Sequence, residues 1–184
     1  MRILAISGSL RSASLNTALL RACTRLAPPT IQITLFRDLG ELPLFNPDIE
    51  ATNPDSVGQL RRQIISSDAL LMASPEYAHG ITGAMKNALD WMVGYEALVN
   101  KPVAILSASP RAVHADAQLR EVITTMSARV IQAASISVPV LGSQLNEDGI
   151  VSDPTISKLL VASLGILLSS LTLTSDPHQI GVKK

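Results

Sequence analysis

Charge of one sign, cysteine and aromatic rings are all scarce in this 184-residue chain. Lys and Arg number 15 and Asp and Glu number 15, so the formal net charge is zero. That balance leaves no basic footprint for nucleic acid. It also leaves no acidic surface of the kind that steers a dedicated electron carrier toward basic partners. The single cysteine, Cys23, excludes an internal disulfide and a CxxC redox pair, and it suits a reducing cytoplasm. The apolar run at residues 1–6 is too short for a signal-peptide core and has no cleavage pattern. The longest apolar stretch, residues 159–173, is broken by Ser163, Gly165, Ser169 and Ser170 and is short for a membrane span; we expect a buried helix there and no membrane partner. His79, His114 and His178 show no ligand spacing along the chain, so no metal site is expected.

What is present is core. Hydrophobic residues make up 47% of the chain and charged residues 16%, which is enough for one well-buried domain and argues against disorder. We expect that domain over residues 1–174, with a loose polar tail at 175–184.

The apolar pattern alternates between two periods. Residues 3–6 form a short buried strand ending at Ser7-Gly8-Ser9. Leu15, Leu19, Cys23 and Leu26 then fall at helical spacing until Pro28-Pro29 stops the helix. Ile31, Ile33 and Leu35 alternate with polar residues, as in a strand near a sheet edge. A Pro- and Asn-rich loop at 42–53 follows, with Glu41, Asp48 and Glu50 read as its solvated charges. Asn53-Pro54 suggests a cap and first position for a helix running to about Ser67. Strands are expected at 69–73, 103–106 and 133–140. Helices are expected at 83–92, across Leu119, Val122, Ile123, Met126 and Val130, and from Asp153-Pro154 onward. Strands alternating with helices imply a doubly wound parallel sheet covered on both faces. Ligands of such sheets sit beyond the carboxyl ends of the strands, so the loops after strands one, three and four carry the interest.

The first loop runs Gly8-Ser9-Leu10-Arg11-Ser12-Ala13-Ser14-Leu15-Asn16-Thr17 and opens a helix. Free N–H groups at a helix N-terminus favour an anion. Ser9, Ser14, Asn16 and Thr17 add short donors and Arg11 a fixed charge, a set suited to a terminal phosphate. A helix cap alone needs one such residue. Neither G-x-G-x-x-G nor G-x-x-x-x-G-K-[ST] is present, and Ser9 lacks the G-x-S-x-G surround of a hydrolase. The second loop, Ser74 to Gly83, is stiffened by Pro75, Gly80 and Gly83. Tyr77 can border a planar ring, although taken alone the loop reads equally well as an ordinary connection. In the third loop, Ser109-Pro110 resembles a cap with Pro at the first helical position. That would put Arg111 in the first turn of the next helix, as a surface residue or as an anion contact. Cys23 reads as a core thiol, and Trp91, Met92 and Tyr95 as core or as a contact between subunits.

Together, G-S-L-R-x-x-S-x-N-T and P-E-Y-x-x-x-x-x-G-x-x-K-N-A-L-D-W resemble the NADPH-dependent FMN reductase family, which includes quinone, chromate and azo-dye reductases. The resemblance implies a flavodoxin-like five-stranded sheet in the order 2-1-3-4-5. It implies FMN held at the phosphate by Ser9, Arg11, Ser14, Asn16 and Thr17. The isoalloxazine ring is then bordered by Pro75, Glu76, Tyr77, Ala78, His79, Gly80 and Ser107. Hydride would pass from NADPH or NADH through FMN to free flavin, a quinone or another small oxidant. No side chain would act as acid or base, and the chain would form a homodimer or homotetramer; Arg111, in the loop that departs from the family, is read from its own residues as a substrate contact or as a surface arginine. The alternative on the same fold is an FMN-binding electron carrier or flavin sensor without catalysis. Two positions depart from the family pattern: Ala78 stands where Asn is frequent, and the third loop, Ser107 to Asp116, has no glycine.

Overall fold

The computed structural model describes residues 1–140 and 145–172. The expected tail at 175–184 lies outside the described residues.

In chain order the elements are β1 (Arg2–Ser7), α1 (Leu15–Leu26), β2 (Gln32–Phe36), the one-turn α2 (Pro47–Glu50), α3 (Asp55–Ser66), β3 (Ala69–Ala73), α4 (Gly83–Asp90), β4 (Pro102–Ser107), α5 (Val113–Thr125), β5 (Arg129–Val130), β6 (Ile136–Ser137), α6 (Glu147–Ser152) and α7 (Pro154–Thr172). The sheet is parallel throughout, in the order β2-β1-β3-β4-β5, with β6 also on β4. The chain leaves β1 to one side for β2 and returns to the other side for β3. The strand order therefore reverses at β1, which opens a crevice above the carboxyl ends of the strands.

Side chains alternate across each strand, and so build two cores. One face carries Leu4, Ile6, Leu70, Met72, Val103 and Ile105, packed on Leu60 and Ile64 of α3, Met85 and Leu89 of α4, and Leu119 and Ile123 of α5. The other carries Ile3, Ala5, Ala69, Leu71, Ala73, Ala104 and Leu106 against Leu19, Leu20 and Cys23 of α1 and Leu160, Leu164 and Leu167 of α7. Truncating one of these fully buried leucines to Ala costs about 2–5 kcal/mol. Trp91 and Met92 belong to the first core. Burial pushes the Cys23 thiol up to about 12, so it is inert packing.

Five expectations need correcting. The strand expected at 133–140 is split, and Val130 belongs to a strand rather than to a helix. β5 and β6 take successive stretches of β4, separated by a short 3-10 turn, and Ser135 Oγ accepts the Ile105 N–H at the gap. α3 begins one residue later than its cap signal. Pro54 occupies the cap position, while Asn53 (φ 43°) accepts instead from Arg61 Nη1. The loop at 42–53 contains α2, and Glu50 pairs with Arg61 rather than only meeting solvent. α6 was not anticipated, although Asn146 caps it by accepting from Gly149 N–H. Finally, α7 buries one stripe only. Leu160, Leu164 and Leu167 are inside, while Leu159, Val161 and Ile166 are exposed. By length and composition alone Pro154–Leu171 would pass for a membrane span. Its buried stripe is what a core helix at i, i+4 and i+7 shows.

Candidate functional site

The loops after β1, β3 and β4 enclose a cleft of about 400 Å³. Its walls include Ser9, Arg11, Ser14, Asn16, Pro75, Glu76, Tyr77, Ser107 and Arg111. That volume is in the range of small-ligand pockets.

Gly8 sets the distance between the first two loops. Its N–H donates to Ala73 O at 2.7 Å, and Thr82 Oγ1 donates to its carbonyl at 2.6 Å. A Cβ at Gly8 would lie 2.7 Å from Ser74 Oγ and 3.1 Å from Met85 Cβ, so only glycine fits.

Beyond Gly8 the first loop climbs to α1. Ser14 is the cap, its Oγ accepting from Thr17 N–H at 3.2 Å. Arg11 N–H donates to Ser9 Oγ at 3.4 Å. Among the described residues, no protein acceptor engages the backbone N–H groups of residues 12–16. This is an uncovered helix N-terminus with an exposed guanidinium beside it, the electrostatic form of an anion site. The side chains of two of the expected phosphate residues are engaged within the protein. Asn16 is buried, and its Oδ1 accepts from Ala108 N–H at 3.0 Å, joining the first loop to the third. Thr17 is buried, and its hydroxyl meets Ser7 Oγ at 2.7 Å; it does not line the cleft.

In the second loop Tyr77 and Gly80 exchange backbone bonds of 3.0 and 3.1 Å. Ala78 (φ 49°) and His79 (φ 58°) occupy the corners of that turn, both in the left-handed region. Gly80 backs onto Gln118, whose Oε1 accepts from Ile81 N–H at 2.7 Å and would lie 2.8 Å from a Cβ at Gly80. Pro75, Glu76 and Tyr77 line the cleft, whereas Ala78, His79 and Gly80 do not. The K-N-A-L-D-W segment has structural duties. Asn87 accepts from Phe45 N–H and donates to Pro43 O, and Trp91 Nε1 donates to the same carbonyl at 2.7 Å.

The third loop departs from its expected form. Ser109 Oγ accepts from Arg111 N–H and Ser109 O from Ala112 N–H, which closes a turn of its own. α5 starts only at Val113, so Arg111 precedes the helix and is not in its first turn. Ala112 supplies no side-chain cap. Glu76 supplies it from the second loop, its Oε2 accepting from the N–H groups of His114 (2.9 Å) and Ala115 (3.0 Å). These amide bonds, the Ala115 bond first, hold the Glu76 carboxyl below its usual range. Sequence reasoning missed this cap, as it missed the roles of Thr82 and Gln118. The partners lie far apart in the chain, and nothing local marks them.

The profile described as NADPH-dependent FMN reductase matches residues 1–140. An NAD(P)H-dependent FMN reductase of Pseudomonas aeruginosa is 44% identical over 112 residues, 59% of this chain and 60% of that one. A quinone reductase of Pseudomonas putida is 31% identical over 157 residues, 82% of this chain and 84% of that one. The chain thus spans less than two thirds of the first relatives it matches. Among solved structures, the flavoenzyme NAD(P)H:(acceptor) oxidoreductase of Paracoccus denitrificans superposes with a TM-score of 0.83 at 28% identity, covering 94% of this chain and 97% of that one.

Proposed function

Since the chain belongs to the NADPH-dependent FMN reductase family, we propose that it is an FMN-dependent NAD(P)H oxidoreductase acting on free flavin, quinones or other small oxidants. The observation that carries the proposal is the set of unaccepted N–H groups at residues 12–16 beside Arg11, at one end of the cleft. A phosphate dianion fits that chemistry. It satisfies the orphan amides, complements the α1 dipole and takes charge-assisted bonds from Arg11.

Arg11, Ser9, Ser14 and the amides hold the phosphate in this reading. Asn16, on the cleft wall, and Thr17, behind it, fix the loop through Ala108 and Ser7. Pro75, Glu76, Tyr77 and Ser107 border the flavin ring, and the turn of Ala78, His79 and Gly80 sets the position of Tyr77. When bound, FMN supplies the hydride chemistry between NAD(P)H and the oxidant. The protein binds, orients and shields, and no side chain of the cleft serves as acid or base. Arg111 meets an anion at the mouth. The proposal extends to a homodimer or homotetramer in the cytoplasm. Tyr77 and Val113, large exposed hydrophobic residues, support the assembly, and Cys23 as a buried free thiol supports the compartment.

One active cleft used in turn by both substrates predicts ping-pong kinetics. NADPH varied at several fixed quinone concentrations should give parallel double-reciprocal lines. Intersecting lines would remove the shared site. Bound FMN without turnover of any acceptor would leave the carrier or sensor.

A further inference from the structure

The structure assigns to Glu76, His79 and His114 a site for a divalent transition cation, Zn²⁺ or its chemical neighbours Co²⁺ and Ni²⁺, on the outer rim of the cleft. One ligand atom from each residue lies within 4.8 Å of the other two. The imidazole rings of His79 and His114 face each other with centroids 4.4 Å apart and planes 22° apart. Among the described residues neither imidazole has a protein hydrogen-bond partner.

Independent features of the backbone hold the set together. His79 sits at the second corner of the Tyr77–Gly80 turn with φ 58°, after Ala78 at φ 49°. Two successive left-handed residues suit a two-residue turn of the primed kind, where glycine or asparagine is usual. Ala and His pay a conformational cost there, and the reciprocal 3.0 and 3.1 Å bonds of the turn offset it. Across from it, His114 lies in the first turn of α5, and its own N–H anchors Glu76 Oε2 at 2.9 Å. The carboxylate is thereby fixed beside both rings. It has about four lone-pair positions, and two amide bonds leave room for a metal.

The donor set selects the ligand. Two imidazoles and one carboxylate match borderline cations, whereas Mg²⁺ and Ca²⁺ require oxygen ligands throughout. Both histidines are exposed, so water completes the coordination and binding is reversible by a chelator. Bound there, the cation ties the loop after β3 to α5 along the wall that Glu76 gives to the cleft. The site shares Glu76 with the cleft wall but takes both imidazoles from outside the cleft, so it does not rest on the flavin reading.

The test is isothermal titration of the protein with Zn²⁺, then with Ni²⁺ and Co²⁺, with and without FMN. The expected result is one site per chain, with a rise in Tm that a chelator reverses. His114→Ala and His79→Ala should each weaken Zn²⁺ by roughly tenfold or more, since even outer partners of metal ligands are worth 10–100-fold. The double variant should lose the site. His178→Ala, which changes the remaining histidine, should keep it. FMN affinity of His114→Ala, measured alongside, reports an intact fold. Failure of wild type to bind Zn²⁺, or equal binding by the double variant, overturns the assignment. Loss of FMN binding in the wild type would count against the flavin reading alone.

Discussion

At the α1 end of the cleft the N–H groups of residues 12–16 have no acceptor among the described residues, whereas at the α5 end the N–H groups of His114 and Ala115 are both taken by Glu76. The two helix N-termini face one cleft and have opposite uses. The first is left open, with Arg11 beside it. The second is closed by a carboxylate from a neighbouring loop, which turns a potential anion site into a wall. An open N-terminus has affinity for phosphate, and a capped one has rigidity.

Removing the charge from the open end should have the largest effect. Charge-assisted hydrogen bonds are worth about 1.5–3 kcal/mol each. Arg11→Ala should therefore weaken FMN by roughly tenfold to a hundredfold, while riboflavin, which lacks the phosphate, should hardly change. Parallel fluorescence titrations with the two ligands decide the matter. Equal losses for both would mean that Arg11 does not face the phosphate.

Next in size is the seam between the two ends. Gly8→Ala drives a methyl to within 2.7 Å of Ser74 Oγ and 3.1 Å of Met85 Cβ. Overpacking of this kind costs about 1–3 kcal/mol. Urea unfolding should show that loss, with FMN affinity falling as the first loop is pushed off the second. An unchanged unfolding midpoint would show that the seam yields freely.

The closed end should respond to acid. The Glu76 carboxyl is held below its ordinary 4.5 in the folded protein by the Ala115 and His114 amides. A depressed carboxyl contributes stability that is present above the unfolded value and is lost as pH falls through the folded value. With chelator present, wild type should have a Tm advantage over Glu76→Gln above the unfolded carboxyl range. That advantage should shrink below about pH 4.5 as both carry a neutral group. A gap independent of pH would mean that the charge of Glu76 is irrelevant to the cap.

The same comparison explains what the sequence could reveal. The open end is local: Ser9, Arg11 and Ser14 lie within a few residues of the helix they serve, and strand and helix periods around them are undisturbed. β3 fell at residues 69–73 as expected because all of its residues are buried and its neighbours are polar. The closed end is non-local. Glu76 caps a helix that begins at Val113, Gln118 supports Ile81, and Ser135 fills a gap beside Ile105. Propensity carries no trace of such pairings. Ser109-Pro110 even carried a false cap signal, because Ser109 uses its hydroxyl on a tight turn before the helix starts.

That false signal also changes what is expected of Arg111, the smallest effect. A cation in the first turn of α5 would have opposed the helix dipole. Arg111 instead stands in the turn before the helix, exposed, lining the cleft, and next to a terminus already answered by the Glu76 carboxylate. Its side chain is therefore available to an incoming anion. If that anion is the extra phosphate of NADPH, Arg111→Ala should raise KM for NADPH and leave NADH nearly unchanged. An exposed ionic contact is worth about 0.2–1 kcal/mol, so the rise should be at most roughly fivefold and should diminish with added salt. Steady-state kinetics with both nucleotides at low and high salt separates the possibilities. Equal loss of rate with NADPH and NADH would assign Arg111 to the flavin side of the cleft. Wild-type kinetics with both would make it a surface residue, and discrimination between the nucleotides would then have to arise elsewhere in the cleft.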